Sequence, residues 1–145
     1  MKTISFVLLT LFLGKSCTNQ AQNDIANSVV QYTADTRGYH LKIIIADHKA
    51  TISQGRETDN PSEAIAISDA DWKYLVTEFQ KIKLEEVPNL KDPTQKRFYD
   101  GAAIANFKIR YQDKNYETVA FDHGMPPAAI EKFVNKIVLL VKEKE

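Results

Sequence analysis

Two short runs concentrate the side chains capable of chemistry. In Phe121-Asp122-His123-Gly124 a carboxylate adjoins an imidazole, the residue types of an acid–base pair. In Lys96-Arg97-Phe98-Tyr99-Asp100-Gly101 a guanidinium, two aromatic rings, a carboxylate and a glycine fall within six residues. Neighbours on an extended strand point to opposite faces, so Asp122 is badly placed to orient the ring of His123. No G-x-S-x-G elbow supplies a serine nucleophile. His40, His48 and His123 are far apart and never stand at H-x-H or H-E-x-x-H spacing. The sequence therefore assigns no catalytic residue, no metal ligand and no cofactor. A small hydrolase using His123 with Asp100 or Asp122 is the enzymatic alternative.

Arginine with tyrosine and phenylalanine is the composition of protein-binding hot spots. The candidate binding residues are thus Arg97, Phe98, Tyr99, Asp100, Asp122 and His123. The same run has a structural reading. Arg97 would pair with Asp100 or Asp122, the aromatic rings would cap the core, and Gly101 would supply a positive φ before the next strand.

Cys17 is the one cysteine of the chain, so no intrachain disulfide can form. Lys2 followed by the apolar run Ile4 to Leu13, closed by Gly14-Lys15-Ser16 ahead of Cys17, has the regions of a signal peptide. The run is too short for a membrane span, which takes about 20 apolar residues. Cleavage before Cys17 would give a signal peptide at 1–16, and a cysteine at the cut is the acceptor of a lipid anchor, with membrane lipid as the partner. Gly14 and Ser16 equally satisfy an ordinary signal peptidase, which would leave a free thiol. Residues 17–30 begin polar, rich in Asn and Gln, and are expected to form a tether; 31–145 are expected to form one domain.

The elements that position the two runs follow from apolar periodicity. Tyr39, Leu41, Ile43 and Ile45 alternate with His40, Lys42, Ile44 and Ala46, a half-buried strand. Asp47-His48-Lys49 turns the chain into Ala50 to Ser53. A polar stretch from Gln54 to Glu63 precedes a helix capped by Ser68, with an apolar stripe of Trp72, Leu75, Val76, Phe79 and Ile82. The pattern then repeats. Ala105, Phe107, Ile109 and Tyr111 form a strand, Gln112 to Asn115 a turn, and Tyr116 to Phe121 a return strand with Val119 and Phe121 on one face. Pro126-Pro127 would open a second helix, whose stripe is Ile130, Phe133, Val134, Ile137, Val138 and Val141.

Two hairpin-helix units predict an α+β fold, a ββα pattern occurring twice, with an antiparallel sheet of about four strands under two helices packed on one face. Val29 to Thr33 would add an edge strand. The outward face would carry His40, Lys42, Lys108 and Arg110, a modest basic stripe suited to acidic partners or anionic headgroups. Nineteen basic residues balance nineteen acidic ones, and losing Lys2 and Lys15 with the export segment leaves seventeen against nineteen, a charge of −2. Such a chain lacks the cationic excess of a nucleic-acid binder.

The run Arg97-Phe98-Tyr99-Asp100-Gly101-Ala102 with the later Phe121-Asp122-His123-Gly124, behind an export signal, resembles small uncharacterised bacterial lipoproteins. The likeness covers about Tyr32 to Val141 and implies a cell-envelope protein, on the periplasmic side of a membrane or secreted, without bringing an activity. A likeness of architecture only is to the emfourin-type metalloprotease inhibitors. It implies a secreted-protease inhibitor as an alternative and carries over no residues. The function read from sequence is a non-catalytic binding or structural module at the cell envelope, leaving room for a protein partner.

Overall fold

A computed structural model describes residues 24–55 and 63–143. The expected export signal and Cys17 lie outside the described residues. Within them, the sheet is antiparallel and has seven strands, where the sequence predicts about four. They are β1 (Ser28–Thr36), β2 (Tyr39–Ala46), β3 (Lys49–Gly55), β4 (Glu63–Ala66), β5 (Ile104–Tyr111), β6 (Lys114–Glu117) and β7 (Phe121–Asp122). Their order is β4-β3-β2-β1-β5-β6, with β7 also pairing β5. With α1 (Asp69–Gln80) and α2 (Glu131–Lys142), the described residues have an α+β architecture.

The largest correction concerns β1. Expected at an edge, it is central, hydrogen-bonded on one side to β2 and on the other to β5. Val30, Tyr32 and Ala34 face the core and are fully buried. The polar outward positions Gln31 and Thr33 mask this burial in the sequence. Ile25 also joins the core, so the globular part begins well before residue 31. β4 is a further strand, emerging after the polar stretch that follows β3.

Both hairpin turns expected from sequence form. Asp47 and His48 have φ of 48° and 64°, and Gln112 and Asp113 have 48° and 62°. Two consecutive positive φ values are what a two-residue type I′ turn needs to match the strand twist. Neither turn contains a glycine, so each holds two L-residues in the left-handed region.

The return strand is interrupted. Lys108 pairs Glu117, but Ala105 pairs Phe121, so the edge carries one extra residue between them, a β-bulge. Thr118 heals the gap. Its backbone N–H donates to Phe107 O at 3.0 Å, and its Oγ1 accepts from the Phe107 N–H at 3.2 Å. The bulge turns Val119 out to half exposure while Phe121 stays fully buried, so these two do not share a face as the unbroken alternation predicts.

Ser68 caps α1, its Oγ accepting from the Asp71 N–H at 3.2 Å. Trp72, Leu75 and Phe79 are buried on one face of α1, and Ile82 follows just beyond its end. The second helix starts later than the prolines suggest. Pro126 and Pro127 lie ahead of a turn at 128–130, and Ile130 is the N-cap of α2. Phe133 joins the layers, its ring 6.0 Å from that of Phe79 on α1 and 5.9 Å from that of Phe107 on β5. Lys136 pairs with Asp71 at 2.6 Å and ties the helices together; that hydrogen bond holds the Asp71 carboxyl below its usual range.

Candidate functional site

The connector from α1 to β5 contains two 3-10 turns, Leu84–Asn89 and Lys96–Tyr99. Asp122 organises the second. Its side chain is fully buried, a position where a carboxylate needs several donors. Its Oδ2 accepts from Thr94 Oγ1 at 2.5 Å and from the Lys96 N–H at 2.6 Å; its Oδ1 accepts from the Arg97 N–H at 3.0 Å and from Arg97 Nη1 at 3.1 Å. Burial alone would raise the carboxyl pKa, but the Thr94, Arg97 and Lys96 donors outweigh it and hold it well below the ordinary range. The group stays charged, and the turn closes around it.

Arg97 closes the arrangement from the other side. Nη2 donates to Asp92 Oδ2 at 2.7 Å and Nη1 to Thr94 O at 3.0 Å. Of the two partners offered by the sequence, Asp122 is taken and Asp100 is not. Asp100 instead adopts the left-handed φ of 57° that ends the turn, the conformation expected of Gly101. The glycine has another role. A Cβ there would lie 3.1 Å from both Lys96 Cβ and Lys96 O, and Gly101 N donates to that same oxygen at 2.8 Å.

The aromatic rings do not cap the core. Phe98 is 70% exposed and Tyr99 is 73% exposed. Arg97 Cζ sits 4.4 Å from the centroid of the Phe98 ring, a cation–π contact that favours one placement of that ring. The six sequence candidates therefore divide. Arg97, Asp100 and Asp122 fix the turn, and Phe98 and Tyr99 are displayed by it.

His123 belongs to different surroundings. Its Nδ1 lies 2.6 Å from the hydroxyl of the buried Tyr32, and its ring centroid is 6.5 Å from that of Tyr39. Burial, and secondarily Lys142, lower the His123 pKa; burial, then Tyr39, raises that of Tyr32. Both shifts favour a neutral pair. The Asp122–His123 couple considered for a hydrolase is not made, because adjacent side chains leave the strand on opposite sides and each is engaged elsewhere. Among the described residues no three His, Cys, Asp or Glu side chains gather as metal ligands.

Several participants were not visible from sequence. Thr94 and Asp92 complete the loop, yet an isolated Thr or Asp in a connector carries no signal. Tyr32 was hidden by the edge placement of β1. A cavity of about 350 Å³ lies beside α1, lined by His48, Asp69, Trp72, Lys73, Val76 and Thr77. His48 stacks on Trp72 there at 4.2 Å between centroids. Trp72 reads as one more residue of an apolar stripe, which concealed this pairing.

Comparison with known proteins finds no matching family, no matching curated relative and no matching solved structure.

Proposed function

We propose that the chain is a non-catalytic binding module that presents Phe98 and Tyr99 to a protein partner at the cell envelope. The observation that carries this reading is the combination of two large, exposed rings with a backbone fixed by a buried carboxylate. A loop fixed in advance loses little conformational entropy on association, and aromatic anchors supply the contact area.

Placement along the sheet supports the same reading. The described chain enters β1 where Ser28 pairs Tyr111, whereas Asp122 pairs Ile104 at the other end of β5. Seven residue steps separate these ends, roughly 23 Å at the rise of a strand. A lipid anchor at Cys17 would then lead into the fold at the end of the sheet away from the aromatic turn.

Affinity capture from envelope extracts, with the wild type beside a Phe98→Ala/Tyr99→Ala double variant, tests the proposal. A partner retained by the wild type and by Tyr74→Ala, but lost by the double variant at unchanged Tm, is the expected result. Identical partner sets for wild type and double variant would remove the turn as a binding surface.

A further inference from the structure

The sheet face opposite the helices holds a second arrangement, independent of the aromatic turn. Three adjacent strands supply it. Gln31 and Thr33 from β1, His40, Lys42 and Ile44 from β2, and Thr51 and Ser53 from β3 line a concavity of about 410 Å³. That volume is in the range of small-molecule sites.

Register places these side chains in two cross-strand rows. Thr33 pairs Lys42, which pairs Ser53; Gln31 pairs Ile44, which pairs Thr51. Paired strands stand about 4.8 Å apart, so Lys42 stands between two hydroxyl-bearing residues. The second row adds one more hydroxyl, a carboxamide and one aliphatic side chain. Six of the seven lining residues carry polar groups able to donate a hydrogen bond, and none is acidic.

Among the described residues, the carboxylates on this face lie near other cations. Asp35 holds His40, and Glu117 lies 4.0 Å from Lys108. Lys42 has no carboxylate partner among the described residues. A partly buried lysine with hydroxyl-bearing residues on both neighbouring strands suits a tetrahedral oxyanion, since lysine acts on phosphate as a point charge and each hydroxyl adds a donor. The volume exceeds what an oxyanion alone would fill. The remaining donors and Ile44 suit a hydroxylated carbon body, with its C–H surface on the aliphatic side chain.

From this geometry we infer that the open face of β1, β2 and β3 binds a soluble sugar phosphate, with the phosphate at Lys42, Thr33 and Ser53 and the sugar over Ile44, Gln31 and Thr51. Lys132, exposed on α2 on the helix side of the sheet, serves as the control for diffuse charge.

Titration calorimetry of the purified chain with glucose 6-phosphate tests this. Binding is expected, with glucose alone at least about tenfold weaker, because a charge-assisted hydrogen bond contributes roughly 1.5–3 kcal/mol. Lys42→Ala and, separately, Thr33→Val/Ser53→Ala should weaken glucose 6-phosphate about tenfold or more at unchanged Tm, while Lys132→Ala leaves it unaltered. The inference is overturned if glucose 6-phosphate does not bind or if Lys42→Ala binds as well as the wild type. Equal loss in Lys132→Ala would also overturn it, as would binding confined to phosphatidylglycerol vesicles.

Discussion

Arg97 reaches Asp122 twice, through its backbone N–H at 3.0 Å and through Nη1 at 3.1 Å, although twenty-five positions separate them in the chain. The connector is thereby fastened to the far end of the sheet, and Phe98, next in sequence, is left outside. Folding and display are consequences of the same pair.

Replacing Asp122 by Ala should therefore unfasten the turn. The Thr94 hydroxyl, the Lys96 and Arg97 amides and the guanidinium would all lose their acceptor, the situation in which breaking a buried charge network is strongly destabilising. A fall in Tm of about 10 °C is expected by calorimetry. Because the Asp122 carboxyl titrates below its unfolded value, it stabilises the fold fully above about pH 4 and progressively less as pH falls below that. Asp122→Asn should accordingly flatten the loss of Tm between pH 4 and pH 2.

His123 gives a pH dependence in a different window. Its folded pKa is lowered, so the folded state binds the proton less readily than the unfolded chain. The resulting stability is present above about pH 6.5 and is lost as pH falls through that region. Tm profiles of the wild type and His123→Gln should diverge between pH 7 and pH 5, with the variant showing the shallower decline.

Thr118→Val changes almost no volume but removes the oxygen that receives the Phe107 N–H. A buried amide without an acceptor costs about 1–3 kcal/mol. Urea denaturation should show that loss, whereas Val119→Ala, at the exposed summit of the bulge, should change stability by less than about 0.5 kcal/mol.

Phe133→Ala should cost about 3–5 kcal/mol, since the ring is buried between Phe79 and Phe107 and its removal leaves a cavity where sheet and helices meet. A smaller loss in urea denaturation would show that α2 is not packed on β5 as described.

The legible parts of the fold were those in which apolar periodicity acts locally. Leu41, Ile43 and Ile45 alternate without interruption, and Trp72, Leu75 and Phe79 recur at helical spacing, so β2 and α1 could be read from residue types. β1 could not be placed, because Val30, Tyr32 and Ala34 look the same in an edge strand as in a central one. Position in a sheet depends on which strands pair, and pairing is not local. The bulge at Thr118 was hidden for the same reason: an extra residue breaks register only against a partner. At the candidate site, the residue types of Arg97 to Tyr99 stand out in the sequence, but the division between anchoring and displayed side chains depends on Asp122, twenty-five positions beyond Arg97.

The most direct measurement is amide hydrogen exchange at Lys96 and Arg97. Both N–H groups donate to the buried Asp122 carboxylate, so in the wild type both should exchange slowly, and Asp122→Ala should abolish their protection. Exchange at the rate of an unstructured loop in the wild type would mean that the aromatic turn is not held in place, and would contradict the account of a preformed binding surface.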